Sequence, residues 1–233
     1  MKNLLTVKAP CFLLYVSIIF LSGCSRYQYI SVNSNLYQNE KKEFISENDT
    51  VMIKYTFAGE NFPITVTIYN KLLQPLYIDL GRSTVIINNY QATDPFYRDG
   101  QISYIAPLSN ATITSNPLKD KFISANPQDS SSKASALLTD GKIHLYDESS
   151  TPLFFRSILA ITTHEDYTSP TFFDYSFWAS DIQMTFNSPS SRIYKPSNQF
   201  YISKPTGFGK FVKWTGLLTI LVLSGLLGTG AGS

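Results

Sequence analysis

The sequence has 233 residues and a formal net charge of +2, and Lys, Arg, Asp and Glu together make up 15% of it. So small a charge, with no extended cluster of basic residues, argues against a nucleic-acid partner and against a strongly acidic substrate. The 15 tyrosines and 16 phenylalanines, set against few charged residues, favour strands over exposed helices. We therefore expect an all-β protein.

The first 23 residues have the parts of a secretory leader. Lys2 and Lys8 form a basic start, and an apolar run of about ten residues follows from Cys11 to Phe20. That run is too short to span a bilayer core of about 30 Å as a helix. We therefore expect residues 1–23 to be a signal peptide that is removed.

The leader ends in the motif Leu21-Ser22-Gly23-Cys24. The motif resembles a bacterial lipobox, in which a signal peptidase cuts before a lipid-bearing cysteine. The resemblance implies peptidase recognition at Leu21, Ser22 and Gly23, and lipidation of Cys24 with acyl chains such as palmitate. Two or more chains anchor a protein stably. Membrane lipid then becomes a partner, and the protein lies on the extracytoplasmic side of a bacterial cell envelope. An uncleaved anchor with an incidental cysteine remains the alternative.

The chain has only one other cysteine, Cys11, which would leave with the leader. The mature chain of roughly 210 residues is large enough to be stable without a disulfide. Two histidines, His144 and His164, are too few for a structural zinc site without cysteines. We expect neither a metal nor a cofactor.

Residues 24–48 are polar and lack strand or helix periodicity over most of their length, and we interpret them as a tether. Strict alternation of apolar and polar residues begins at Val51, resumes at Ile64 and returns at Leu76. Alternation with period two is typical of a strand with one buried face, and close turn signals favour an antiparallel sandwich. We predict a β-sandwich over residues 49–205.

The run from Ile64 to Asn70, followed by Pro75-Leu76-Tyr77-Ile78, resembles the Asn-ended second strand of immunoglobulin-like modules found in many envelope lipoproteins. The resemblance implies an immunoglobulin-like arrangement of strands. It implies no activity, because one architecture hosts many functions.

Two irregularities interrupt the predicted sandwich. Residues 108–140 drift to Ser, Asn, Ala and Asp, and we interpret this long stretch as a surface insertion. The buried face switches between Ala179 and Ile182, which predicts a bulge near Ser180. Between them, the run from Phe154 to Ile161 is apolar on both faces over most of its length and predicts a central strand.

Residues 211–231 are predicted to form a transmembrane helix, because the uncharged tail from Trp214 onward has the length of one span. Trp214 would lie at the interface. The alternatives are an apolar helix docked on the domain or a partner, and a cleaved glycolipid-anchor signal. Spanning helices belong to inner membranes, whereas Ser25 after the cysteine resembles an outer-membrane sorting signal, so inner and outer membrane both stay open.

No catalytic motif is present. His164 stands beside Glu165 and Asp166, but neighbouring strand residues point to opposite faces, and the spacing of known hydrolase and phosphate-binding motifs is missing. We therefore expect a protein that is not an enzyme, and a hydrolase is only the third hypothesis.

Aromatic residues cluster beside Pro170, namely Tyr167, Phe172, Phe173, Tyr175 and Trp178. Exposed rings bind glycans or protein partners, whereas buried rings of a sandwich are core. Our first hypothesis is a structural or protein-interaction module with a protein partner in the cell envelope. The alternative is a glycan- or small-ligand-binding lipoprotein that uses this aromatic patch or the insertion.

Overall fold

The structure is a computed structural model that describes residues 25–88, 90–91, 103–115, 123, 133–134, 143–193 and 195–205. Residues 27–203 form one compact unit. The fold below is that of residues 27–203. The predicted signal peptide with Leu21, Ser22, Gly23 and Cys24, and the predicted helix at 211–231, lie outside the described residues.

The described residues form strands joined by turns, with a single 3-10 turn at Pro189–Ser191. The strands are β1 Ser25–Ser34, β2 Tyr37–Gln38, β3 Phe44–Glu47, β4 Val51–Thr56, β5 Gly59–Glu60, β6 Ile64–Asn70, β7 Leu76–Ile78, β8 Thr84–Ile87, β9 Tyr90–Gln91, β10 Tyr104–Ile105, β11 Asn110–Ser115, β12 Lys133–Ala134, β13 Ile143–Leu145, β14 Phe154–Thr162, β15 Thr171–Thr185 and β16 Gln199–Pro205.

Two sheets contain these strands. The larger has the order β10-β7-β14-β15-β1-β16-β5, with β8 and β9 continuing from β14 and with β13 and β12 continuing from β15. The smaller has the order β11-β6-β4-β3-β2. The smaller sheet is antiparallel, and the larger is mixed because β16 and β5 run parallel. The expected all-β sandwich is confirmed at this level.

Period-two alternation builds the smaller sheet as the sequence predicts. Val51, Ile53 and Tyr55 of β4 are buried, and the residues between them are half-buried. The neighbouring strand β6 follows the same pattern, and Tyr55 lies opposite its Val66. One face of each strand therefore enters the core.

Aromatic rings from both sheets fill the space between them. Phe177 of β15 lies 5.1 Å from Phe155 of β14, 5.7 Å from Phe44 of β3 and 5.0 Å from Tyr55 of β4, measured between ring centroids. Phe57, just after β4, is 5.2 Å from Phe177. All five side chains are 0% exposed. Aromatic contacts of this kind join the two sheets into one core.

Residues 25–48 do not form the tether that we predicted. The strand β1 lies inside the larger sheet and pairs with β15 from Tyr27 opposite Thr185 to Ser34 opposite Phe177. The alternation was hidden because polar Gln28 occupies a core position and Tyr29, on the other face, is buried too. Gln28 satisfies its amide by bonds to both backbone groups of Ile123, at 2.8 Å each.

The predicted bulge is confirmed, and its extra residue is Ser180. Ser31 of β1 lies opposite Asp181, whereas the next residue, Val32, lies opposite Ala179, so Ser180 has no partner in the register. Its hydroxyl donates to the Ser31 carbonyl at 3.2 Å. The bulge lets both Ala179 and Ile182 reach the core.

Part of the predicted insertion at 108–140 belongs to the sandwich. Its residues Asn110–Ser115 are β11, which pairs with β6 along its whole length. Lys133–Ala134 is β12 and pairs with β13. The central position of β14 is confirmed, because it pairs with β15, β7 and β8.

No helix within the described residues is long and apolar enough to cross a membrane.

The Phe177→Ala variant should unfold at a much lower urea concentration than the parent protein. Phe177→Ala removes a ring that contacts both sheets, and such core truncations cost about 3–5 kcal/mol. Phe172→Ala on the same strand is the matched control, because Phe172 is 56% exposed and its loss should change stability by about 0.5 kcal/mol or less. Urea unfolding measures both, and equal effects would contradict the assigned faces of β15.

Candidate ligand-binding pocket

The five rings singled out in the sequence do not lie on one surface. Phe173 and Tyr175 pack against the core, whereas Phe172 is 56% exposed and Trp178 only 8% exposed. Alternation along β15 separates these pairs onto opposite faces. Tyr167 lies in the turn between β14 and β15 and packs on Tyr77, with ring centroids 6.3 Å apart.

His164, Glu165 and Asp166 are exposed in that same turn. The Asp166 carboxylate accepts bonds from the hydroxyl and backbone N–H of Thr168, at 2.7 and 3.1 Å. These bonds lower the pKa of Asp166, and the bond from the Thr168 hydroxyl has the largest effect. The described residues contain no group of three His, Cys, Asp or Glu side chains placed to hold a metal ion.

A cavity of about 390 Å³ lies next to His164. Threonine, serine and amide side chains and five apolar residues form the rest of its lining, and none of them carries a carboxylate or a cation. General acid–base hydrolysis needs such a partner beside the histidine. The described lining of this cavity therefore lacks the charged partner for His164 that the hydrolase hypothesis requires.

A second cavity, of about 280 Å³, carries two positive charges and two aromatic rings. It lies beside β1, β5 and β16 and is bounded by the segment that follows the 3-10 turn. Its lining residues are Tyr29, Ala58, Gly59, Pro189, Arg192, Lys195, Gln199 and Tyr201. We call it the Arg192 pocket.

The guanidinium of Arg192 lies over the ring of Tyr29, with its carbon 3.4 Å from the ring centroid. Its two terminal nitrogens donate to the amide oxygens of Gln199, at 3.1 Å, and Gln183, at 2.6 Å. The Tyr29 hydroxyl donates to the Asn187 carbonyl at 3.0 Å. Tyr29 therefore contacts the segment 187–192 at both ends, with its hydroxyl at Asn187 and with its ring at Arg192.

The described lining of the pocket contains two cations and no carboxylate, although Glu60, next to Gly59, acts on Tyr201 from outside the lining. Both acceptors of Arg192 are neutral amides, and neither Arg192 nor Lys195 has a carboxylate within ion-pair distance in the described part of the chain. Two bonds leave three of the five guanidinium N–H donors for other partners. A cation bound only by neutral groups retains its full charge for an anion.

Arg192 acts on the carboxylate of Asp181, and among the described residues the two side chains are connected only through Gln199 and Ser31. Its oxygen accepts a bond from the Ser31 hydroxyl at 3.0 Å, and Gln199 donates to the same hydroxyl at 3.0 Å. Burial raises the pKa of Asp181, and bonds from Ser31 and Ser180 and attraction by Arg192 oppose that rise only in part. Asp181 makes no direct hydrogen bond to Arg192, whose acceptors are Gln199 and Gln183.

Two tyrosines of the pocket lining, Tyr29 and Tyr201, pack with Tyr27. The ring centroids of Tyr27, Tyr29 and Tyr201 lie 5.9 to 6.4 Å from one another. Burial is the main cause that raises the pKa of Tyr29 and of Tyr201, so both phenols stay neutral at physiological pH.

Gly59 shapes one wall of the pocket. Its φ is +146°, a conformation that other residues rarely adopt, and an added Cβ would come within 2.7 Å of Pro63 Cγ. A larger residue here would push the chain into the cavity or displace Pro63.

The pocket was not predicted from the sequence, because its residues come from distant segments. Tyr29 lies in the stretch interpreted as a tether, and Arg192 lies in a Ser- and Pro-rich loop. One available signal was the tyrosine alternation of Tyr27 and Tyr29, which marks one face of a strand.

No protein-family model, no curated protein and no solved structure matches this chain.

Asp181 should make stability depend on pH in a defined direction. Its folded pKa is raised above the unfolded value of 3.8, so the folded state binds the proton more tightly. Its contribution to stability then falls as pH rises from 3.8 through the raised pKa. Asp181→Asn removes this component, so the variant should gain stability relative to the parent across that window.

Urea unfolding at closely spaced pH values measures this difference. Asp174→Asn, at an exposed position of the same strand that pairs with Arg156, is the control and should show no gain of this sign. A difference for Asp181→Asn that is flat with pH, or that reverses, would contradict the assignment.

Proposed function

We propose that this protein is a non-catalytic binding domain whose Arg192 pocket takes a small ligand carrying a negative charge. The observation that carries the proposal is Arg192 itself, stacked on Tyr29 at 3.4 Å and bonded only to neutral amides. A planar guanidinium with free donors suits a carboxylate, which accepts two parallel bonds. Lys195 adds a second charge to the same lining.

The size and the rings of the pocket favour a single acidic sugar. About 280 Å³ is just below the range of roughly 300–1,000 Å³ for ligand sites, so one ring fits better than a chain. Tyr201 presents aromatic surface next to the cations, as glycan sites often do, while the ring of Tyr29 is covered by Arg192. The ligand class proposed is a monosaccharide acid such as glucuronate.

This proposal retains the glycan- or small-ligand-binding alternative of the sequence analysis but assigns the binding to a different set of residues. Tyr167, Phe172, Phe173, Tyr175 and Trp178 are replaced by Tyr29, Arg192, Lys195 and Tyr201. The structural or protein-interaction module with a protein partner stays a prediction, because no contact among the described residues bears on it.

We also propose, from the sequence, that lipid on Cys24 holds this domain at the outside of a bacterial membrane, after removal of residues 1–23. The lipobox-like motif supports the anchor. The immunoglobulin-like strand arrangement and the helix at 211–231 belong to the same proposal. Inner or outer membrane stays open.

The binding proposal is tested with glucuronate and glucose, which differ at one carbon by a carboxylate. Glucuronate should bind the full chain in detergent, and glucose should bind at least about tenfold more weakly, since a charged hydrogen bond contributes about 1.5–3 kcal/mol. Isothermal titration calorimetry measures both ligands. Equal affinity for glucuronate and glucose would contradict the proposal.

Arg192→Gln should weaken glucuronate binding by about tenfold or more, because the cation is lost, and Arg192→Lys should recover part of it. Arg156→Gln is the matched control, since Arg156 pairs with Asp174 and does not line the pocket. Equal losses in the Arg192 and Arg156 variants would place the ligand elsewhere.

Cys24→Ala should abolish incorporation of a palmitate analogue, because the acyl chains have no other attachment point in the mature chain. Cys11→Ala is the control and should leave labelling unchanged, since that cysteine leaves with the leader. Metabolic labelling followed by gel fluorescence measures both. Undiminished labelling of Cys24→Ala would refute the anchor without touching the sugar proposal.

A further inference from the structure

A second aromatic cluster lies at the β10 end of the larger sheet, formed by Tyr77, Tyr104 and Tyr167. Tyr104 of β10 is the direct register partner of Tyr77 of β7, and their ring centroids are 5.6 Å apart at an interplanar angle of 64°. Tyr167 approaches Tyr77 at 6.3 Å and 81°. Both outer rings therefore stand edge-on to the plane of the central one.

The turn that carries Tyr167 is held in an uncommon backbone conformation. Tyr167 has a φ of 59° and Ser169 a φ of 48°, a region that residues other than glycine rarely occupy. The Tyr167 N–H donates to the His164 carbonyl at 3.1 Å, and the Tyr167 carbonyl accepts a bond from Arg82 at 3.4 Å. These bonds fix the ring of Tyr167 next to Tyr77.

Negative charge accompanies these rings. Glu165 is close enough to Tyr77 to raise its pKa, after the larger effect of burial. Asp166 is the next residue, and bonds from Thr168 favour its ionised form. Among the described residues, Arg82 contacts the cluster through the Tyr167 carbonyl, and it is paired with Asp79 at 3.3 Å, which offsets part of its charge. The cluster thus has the charge opposite to that of the Arg192 pocket.

Aromatic ring faces attract cations, and quaternary ammonium groups are recognised by several rings together with a nearby anion, because such groups cannot donate hydrogen bonds. Tyr104 is 50% exposed, so a ligand reaches the cluster from solvent. We propose that Tyr77, Tyr104 and Tyr167, with Glu165, bind a trimethylammonium group. The site is independent of the proposed function of the Arg192 pocket.

The test uses choline and 3,3-dimethylbutan-1-ol, a neutral molecule of the same shape. Isothermal titration of the full chain, in a maltoside detergent, should show saturable binding of choline and at least about tenfold weaker binding of the alcohol. Equal binding of the two, or no saturable binding of choline, overturns the proposal.

Variants locate the site. Tyr104→Ala should lower the affinity for choline about tenfold, and Tyr104→Phe should retain it, because the ring face remains. Glu165→Gln should weaken binding through loss of the anion. Tyr37→Ala is the matched control, since Tyr37 is 70% exposed and lies in the smaller sheet. Unchanged affinity in Tyr104→Ala, with folding verified by urea unfolding, overturns the assignment.

A comparison with phosphocholine distinguishes the two sources of this group. Tighter binding of phosphocholine than of choline assigns the site to a lipid headgroup. Tighter binding of choline assigns it to a free quaternary amine. Both results support the site, whereas failure of both probes removes it.

Discussion

The packing of Phe177 between the two sheets is the contact on which the rest of the fold depends. Its ring lies within 5.7 Å of Phe44, Tyr55, Phe57 and Phe155, so it joins β15 to both sheets at once. Because side chains alternate along a strand, this contact also determines which residues of β15 and of its neighbour β1 face outward. Tyr29 and the Arg192 pocket lie on that outward side as a consequence.

The larger sheet carries two groups of tyrosines in different electrostatic surroundings. At the Arg192 pocket a guanidinium covers the ring of Tyr29 and Lys195 lies in the same lining, so rings and cations together favour an acidic ligand. At the Tyr77 cluster Glu165 and Asp166 accompany the rings, which favours a cation. The charge next to the rings, and not the rings themselves, decides the class of ligand.

Sequence periodicity predicted the strands whose faces are cleanly divided, such as β4 and β6, and the face switch that placed the Ser180 bulge. It missed β1, since Gln28 is buried by bonds to Ile123 that no local pattern reveals. The prediction of a single aromatic surface was wrong, because rings that are adjacent in sequence along β15 alternate between its two faces. Neither the Arg192 pocket nor the Tyr77 cluster was predictable, since each joins residues from distant segments.

The central claim is that the Arg192 pocket binds an acidic sugar, and the most direct measurement is the carbon–proton NMR spectrum of the tyrosine rings during titration with glucuronate. Signals of Tyr29 and Tyr201 should shift with a common saturation curve, and those of Tyr77, Tyr104 and Tyr167 should stay in place. Shifts confined to the Tyr77 cluster, or spread evenly over all tyrosines, would contradict the account.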